Sequence, residues 1–186
     1  MAAAARRTLA WRTHAILLAP VTVAGYTLER PIERRLGSLR SIAIAQIAAG
    51  LALFAADRRP GRRRALTAAD AAAIGAAQAV ALIPGVSRSG AVITAARALG
   101  IERTAAAAMS SESAILVLLG AGTLKAWRLA RNPPPRELRA AFAAGALSAA
   151  LSTAAARPIA HRLRSYAPFA AYRIALGALA LRSASP

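Results

Sequence analysis

The sequence predicts an all-helical (all-α) protein, a polytopic membrane helical bundle with one broken, re-entrant helix around residues 68–99. Hydrophobic residues make up 57% of the 186 positions, and the mean hydropathy of +0.44 is well above that of a typical soluble protein. Charged residues divide the chain into six main apolar blocks. These blocks are dominated by Ala and Leu and lack the alternation that is typical of half-buried strands.

The charge balance is strongly basic, because 25 Lys and Arg residues against 7 Asp and Glu residues give a formal net charge of +18. Nucleic-acid-binding proteins collect such charge on one face or in a tail. In this chain the arginines lie between apolar blocks, as in the cluster at residues 58–64, and that pattern is typical of membrane-protein loops. We therefore expect a membrane and no nucleic acid as partner. A soluble bundle of Ala-rich helices stays open, because alanine contributes little to membrane insertion.

The first two apolar blocks cover residues 13–28 and 41–56, and charged residues bound both of them. Arginines before the first block resemble the start of a signal peptide, but the block lacks a clear small-residue cleavage site. We therefore predict a first membrane helix there. Blocks of this length are near the lower bound for crossing hydrocarbon, and flanking arginines extend their reach by snorkelling.

The third apolar block is interrupted by Pro84-Gly85 before its apolar character ends. We predict a helix at 68–82, a loop at 83–90 and a second short helix at 91–99. Broken backbone at membrane depth is tolerated only where protein covers it or where it lines a wet cavity. Membrane proteins place polar ligands at such breaks.

The last three apolar blocks cover residues 104–124, 140–156 and 165–181, and each is predicted as a helix. The prolines at 133–135 cannot lie in a helix interior, so a loop is expected between the first two of these blocks. The whole chain, 1–186, is predicted as one membrane domain.

The most informative residue is Arg88, which is the first charge after Asp70 in an apolar stretch. A lone arginine at membrane depth is costly and needs an anionic partner. Its planar fork of donors suits phosphate oxygens. Ser87 and Ser89 add hydroxyls on either side of it.

Two glycines flank this arginine and allow the backbone to approach a ligand closely, namely Gly85 and Gly90. If the second short helix begins at Ala91, then Ser89 or Gly90 is its N-cap, and the free amides of its first turn favour an anion. The run therefore indicates a phosphate site. The alternative is a serine that only caps a helix.

The run resembles the second signature of the undecaprenyl-diphosphate phosphatases, the bacitracin-resistance family of bacterial membrane enzymes. The matching residues are Gln78, Ala81, Leu82, Pro84, Gly85, Ser87, Arg88, Ser89, Gly90, Ala91 and Ile93. Further matches follow in order at Gly100, Arg103, Ser110 and the run Pro168-Phe169-Ala170-Ala171-Tyr172-Arg173. The resemblance is best over residues 67–181.

The resemblance implies removal of the terminal phosphate from a polyprenyl diphosphate, the recycled carrier lipid of the bacterial envelope, at the inner membrane. It implies that Arg88 clamps the diphosphate and that Ser87 is a phosphate ligand or nucleophile. Gly85, Ser89, Gly90, Ser110 and Arg173 are the other expected phosphate-binding residues. A non-catalytic binder or carrier of polyprenyl phosphates is the alternative function.

The resemblance also implies a divalent cation, Mg²⁺ or Ca²⁺, but its ligands are not identifiable in this chain. The family's glutamate signature, Glu-Gly-x-x-Glu, and its Ser-Ser-x-Gly-His segment have no counterpart in the sequence. Val92 stands where the family has a threonine. The expectation is a chain that begins after the glutamate signature, with a homo-oligomer or a separate N-terminal half as partner.

Other polar residues give weaker signals. Glu112 is expected to pair with an arginine rather than act as a substitute carboxylate, because buried charges are normally paired. Arg173 is expected to point inward, where it binds phosphate or pairs with Glu112. His14 and His161 are far apart and no metal-ligand spacing is present. The chain has no cysteine.

Overall fold

The structure, a computed structural model, describes residues 2–61, 66–133, 135–161 and 165–184. Helices account for the regular structure of these residues, in which there is no strand. The helices are α1 (Ala2–Leu36), α2 (Leu39–Asp57), α3 (Ala68–Val80), α4 (Arg88–Ala98), α5 (Arg103–Arg131), α6 (Arg136–His161) and α7 (Ala167–Ser183). The predicted all-helical fold is confirmed.

The helices occupy all the predicted apolar blocks but extend beyond several of their charged boundaries. The first helix, α1, continues to Leu36 and includes Pro20 and Pro31. Both α5 and α6 begin and end beyond the apolar blocks they contain. Arginine and glutamate favour helix almost as well as leucine does, so a charge ends an apolar block without ending the helix.

Packing divides the chain into two compact units, and the larger comprises Met1–Ala114 and Ser165–Pro186. Within it, α2 packs on α7, α1 packs on α3, and α4 packs on both α2 and α3. Its main core cluster consists of Leu17, Ile74, Val92, Ala96, Ile101 and Ala106.

A close approach between α2 and α7 depends on glycine. A Cβ at Gly177 of α7 would lie 2.8 Å from the Ala43 carbonyl oxygen of α2 and 2.7 Å from the Ile47 side chain. Dispersion contacts at this seam are therefore made backbone to backbone, and a larger residue would separate the two helices.

The smaller unit is Ile115–Arg164, which contains the C-terminal part of α5 and all of α6. Large apolar side chains in it are exposed, including Leu118, Leu119, Phe142, Leu147 and Leu151. The prediction of one membrane domain over the whole chain stays a prediction.

One helix of the described residues, α2, is long and apolar enough to cross a membrane, with a mean hydropathy of 1.7. Residues Ile16–Gly25 and helix α3 are apolar but shorter. The polytopic arrangement of the bundle therefore stays a prediction.

The predicted break in the third apolar block is confirmed, but its boundaries were wrong. Helix α3 ends at Val80 rather than at residue 82, and α4 begins at Arg88 rather than at Ala91. The connecting loop is therefore residues 81–87. The start of α4 is set by Ser87, which caps the helix, and by the turn at Gly85 that precedes it.

Candidate functional site

The loop 81–87 contains a tight turn that requires a glycine. Gly85 has φ +97°, a left-handed conformation that side chains with a Cβ rarely adopt. A Cβ there would also run into the Ile42 carbonyl oxygen of α2. Val86 N–H donates to the Ile83 carbonyl at 3.0 Å and closes the turn. The loop thus reverses the chain directly against α2.

Ser87 is the N-cap of α4, a role predicted for Ser89 or Gly90. Its backbone is extended, and its hydroxyl oxygen accepts from the Gly90 N–H at 3.2 Å. The Ala91 N–H donates to the Ser87 carbonyl at 2.8 Å as the first helical bond. Because Ser87 accepts this hydrogen bond from the Gly90 N–H, α4 starts three residues earlier than predicted. Ser89 and Gly90 therefore lie inside its first turn.

The first turn of α4 leaves backbone donors free. In an α-helix the amides before the first helical bond have no intrahelical acceptor. Gly90 N–H is satisfied by Ser87, whereas the N–H groups of Arg88 and Ser89 donate to no carbonyl within the described ranges. The amide hydrogens of these two N–H groups, together with the positive end of the helix dipole, favour an anion at the start of α4.

Arg88 is half-buried at this helix start, and Ser89 next to it is exposed. Among the residues that the structure describes, the Arg88 guanidinium has no hydrogen bond and no ion pair. The predicted placement of the arginine away from bulk solvent is therefore supported. A half-buried cation without an acceptor is a natural partner for an anion.

Arg173 reaches the same loop from α7. Its guanidinium donates a hydrogen bond to the Gly85 carbonyl oxygen, and the side chain is half-buried, which agrees with the predicted inward direction. The contact ties α7 to the turn that precedes α4. Phosphate binding by Arg173 stays a prediction.

Ser110 of α5 approaches the same end of α4. It is 4% exposed, and its hydroxyl lies 3.5 Å from the Ser89 carbonyl oxygen, at the long limit of a hydrogen bond. The structure therefore brings Ser110 into the neighbourhood of the predicted phosphate-binding residues. Its hydroxyl retains the capacity to accept from, or donate to, a ligand.

A second polar cluster lies at the other end of α4, and sequence reasoning missed it. The Asp57 carboxylate, 4% exposed, accepts from Arg103 Nε at 2.6 Å. It also accepts from the Ser165 hydroxyl and the Tyr166 N–H, both at 2.9 Å. Arg97 Nε lies 3.5 Å from the same carboxylate.

Arg97 is the best-buried charge of this cluster, at 2% exposure. Its guanidinium donates to the Ile101 carbonyl at 2.6 Å, to the Asp57 carbonyl at 3.2 Å and to the Arg59 carbonyl. The cluster therefore joins the ends of α2, α4, α5 and α7. One signal was available in the sequence, since Asp57 is an acidic residue at the end of an apolar block in a chain with few acids.

The described residues do not assemble a metal site. Within them, no group of three or more His, Cys, Asp and Glu residues is close enough to hold an ion. The side chains of His14 and His161 lie outside the part of the chain whose side chains are described. Glu112 is exposed. The donor set present does not fit a divalent cation, which requires several oxygen ligands.

Comparison with known proteins agrees with the motif. The chain matches the family model "Bacitracin resistance protein BacA" over residues 2–179. It is 42% identical over 170 residues to an undecaprenyl-diphosphatase of Geobacter sulfurreducens, covering 87% of this chain and 63% of that protein. It is 38% identical over 176 residues to an undecaprenyl-diphosphatase of Hahella chejuensis, covering 91% of this chain and 65% of the relative.

A shorter match has a higher identity. The chain is 50% identical over 109 residues to an undecaprenyl-diphosphatase of Chromohalobacter salexigens, which covers 57% of this chain and 41% of that protein. The chain thus spans less than two thirds of the length of these three relatives. Because the family model matches residues 2–179 of the 186 in this chain, the chain belongs to the bacitracin resistance protein BacA family.

Proposed function

We propose that this protein binds a polyprenyl diphosphate and hydrolyses it to the monophosphate and inorganic phosphate, with undecaprenyl diphosphate as the substrate. The observation that carries the proposal is the start of α4, where the half-buried Arg88 has no acceptor among the described residues. The family membership and the names of the relatives support the substrate class.

Arg88 and the backbone suit a diphosphate for complementary reasons. The guanidinium offers two parallel N–H donors to two oxygens of one phosphate group. The free amides of Arg88 and Ser89 offer further donors along the helix axis, where the dipole favours negative charge. A partly buried site weakens competition from water and strengthens both interactions.

Ser87 fits the role of a phosphate ligand better than that of a nucleophile. Its oxygen already accepts from the Gly90 N–H, so the hydroxyl hydrogen is free to donate to a phosphate oxygen. Attack by Ser87 would weaken the hydrogen bond through which its oxygen caps α4. We therefore assign the attack on the terminal phosphorus to a water molecule.

The reaction then balances simply. The water oxygen bonds to the terminal phosphorus, and the bond from that phosphorus to the bridging oxygen breaks. The bridging oxygen stays on the polyprenyl monophosphate, and one water proton passes to a phosphate oxygen of the products. Arg88 neutralises charge that builds up on the phosphate oxygens during this transfer. A divalent cation stays in the proposal through the family resemblance alone, and no step is assigned to it, because the donors present do not fit one.

We place this protein in the bacterial inner membrane as a multi-pass protein. The exposed faces of α2 and α7 support this location, because they carry large apolar side chains such as Ile44, Leu51, Leu176 and Leu179. Contiguous apolar surface of this kind indicates contact with a membrane or another protein. A homo-oligomer or a separate N-terminal half as partner stays part of the proposal.

Phosphate release tests the function directly. The full chain in lipid nanodiscs is incubated with undecaprenyl diphosphate and divalent metal, and inorganic phosphate is measured. We expect release by the wild-type chain and at least a hundredfold loss in Arg88→Ala. Binding of the lipid without phosphate release would instead support the non-catalytic carrier. The absence of both binding and release would overturn the phosphatase proposal and the carrier alternative.

A further inference from the structure

Gln78 is a fully buried polar side chain whose hydrogen-bonding groups are unused. Its exposed fraction is 0%, and neither Nε2 nor Oε1 has a hydrogen-bond partner within the described residues. Burying an amide without a partner costs stability, and most buried polar groups in folded proteins are paired. The buried carboxamide of Gln78 is therefore free to bind a polar group that lies outside the described residues.

The position of Gln78 on α3 places it beside the phosphate-binding end of α4. It follows Ile74 by four residues, so the two side chains share one face of the helix. Ile74 packs in a cluster with Val92 and Ala96 of α4. Because α3 ends at the loop 81–87 and α4 begins after it, Gln78 lies one helical turn nearer that loop than Ile74 does.

The segment that follows Gln78 closes this end of the helix pair. The Gln78 carbonyl accepts from the Ala81 N–H at 3.1 Å, which ends the helix. Every residue from 81 to 88 is half-buried. A ligand that inserts its headgroup between this segment and the start of α4 would meet the Gln78 carboxamide next.

We propose that Gln78 is a headgroup-binding residue, whose Nε2 donates to a phosphate oxygen of the bound diphosphate once the segment 81–87 has shifted to admit it. The inference rests on the proposed function, since it deepens the binding site at Arg88. The neutral amide suits this place, because an unpaired charge at the same depth would cost far more in the empty state. In the complex, the phosphate oxygen would accept the hydrogen bond that the Gln78 amide does not make to any described residue.

This assignment predicts opposite effects on stability and on binding, which a purely structural glutamine would not produce. Gln78→Met has nearly the same volume and removes both unpaired atoms. We expect a higher thermal unfolding temperature without ligand, and at least a tenfold weaker affinity for farnesyl diphosphate titrated into the full chain in nanodiscs. The matched control is Ile74→Met, on the same buried face, which should leave the affinity unchanged.

A second variant covers the case in which methionine disturbs the fold. Gln78→Glu keeps the length and polarity of the side chain but replaces the donor with an acidic group, and we expect at least a tenfold loss of affinity. Affinity equal to wild type in either folded variant would overturn the inference, and would mean that an internal water satisfies the amide. Arg88→Ala separates the two proposals: if it binds farnesyl diphosphate as the wild type does, the proposed site itself fails, and the Gln78 assignment fails with it.

Discussion

Arg88 differs from the other buried or half-buried arginines around α4 in what its guanidinium contacts. Arg97 and Arg103 are held by Asp57, and Arg173 donates to the Gly85 carbonyl. Each of these contacts fixes one helix end or loop to another. The Arg88 guanidinium, by contrast, has no such acceptor in the described part of the chain, and this difference is the reason that the proposal assigns the ligand to Arg88.

Ser87 caps α4 in the structure and is a phosphate ligand in the proposal, and two substitutions separate these roles. Ser87→Ala removes the cap acceptor and should lower the free energy of unfolding by about 1 kcal/mol. Ser87→Asp keeps a good cap acceptor but places a negative charge beside the phosphate. We expect near-wild-type unfolding and at least tenfold weaker binding of farnesyl diphosphate in Ser87→Asp, measured on the same nanodisc samples.

The outcome for Ser87→Asp decides the ligand role. Binding as tight as in the wild type, at unchanged stability, would show that no phosphate lies within reach of residue 87. Ser87 would then be a helix cap alone, which is the alternative that its sequence left open.

At the scale of the elements, the Asp57 cluster determines how α2, α4, α5 and α7 meet. The carboxylate receives donors from Arg103, Ser165 and Tyr166, and Arg97 lies beside it. Removing the charge of Asp57 leaves the buried Arg97 without a counter-ion. Breaking one partner of a buried ion pair costs about 3–5 kcal/mol.

We therefore expect Asp57→Asn to lower the free energy of unfolding by about 3–5 kcal/mol. Denaturation of the detergent-solubilised chain, followed by circular dichroism, measures this. The control is Arg182→Gln, an exposed position, where a change of less than about 0.5 kcal/mol is expected. Equal stability of Asp57→Asn and the wild type would contradict a structural role for the cluster.

The turn before α4 gives a second prediction at this scale. Gly85→Ala forces a Cβ into a left-handed conformation and against the Ile42 carbonyl, which should cost about 1–3 kcal/mol or more. Gly120→Ala is the matched control, because a Cβ there meets nothing within 4 Å and helix propensity favours alanine by about 1 kcal/mol. The free energy of unfolding should therefore fall in Gly85→Ala and rise in Gly120→Ala. A change of the same sign in both variants would contradict the strained turn.

The helices were largely predictable from the sequence, whereas their ends were not. The apolar blocks and the Pro84-Gly85 break located the helices, because the pattern of apolar residues can be seen directly along the sequence. The start of α4 was predicted three residues too late. Which of several serines and glycines becomes the N-cap depends on backbone geometry, and that geometry follows from the contact of Gly85 with α2.

At the scale of the whole molecule, the large apolar side chains exposed on α2 and α7 favour contact with the hydrocarbon of a membrane. We expect the expressed chain to sediment with bacterial membranes and to resist extraction by alkaline carbonate, whereas detergent should release it. A peripheral protein held by its arginines would be released by salt or carbonate, because exposed charge pairs are screened. Recovery in the carbonate supernatant would contradict the membrane assignment.

The site was predictable only in part at this scale. Arg88, Ser87 and Gly85 were predicted as site residues from one short run, because the motif is contiguous in sequence, and their ligand roles stay predictions. The buried Gln78 and the Asp57–Arg97 pair became apparent only from the fold, since an unsatisfied amide and a long-range ion pair depend on which residues surround them. Arg173 was identified as inward-facing, but its contact with the Gly85 carbonyl follows from the packing of α7 beside the loop.

The most direct measurement compares Arg88→Lys with the wild-type chain, both in nanodiscs, by calorimetric titration with farnesyl diphosphate. Lysine keeps the charge but lacks the bidentate fork, and Arg88 holds no structural partner among the described residues whose loss would unfold the chain. We predict binding by the wild type and at least a tenfold weaker affinity in Arg88→Lys, with unchanged thermal unfolding. Equal affinity in the two proteins would contradict the assignment of the α4 start as the diphosphate site.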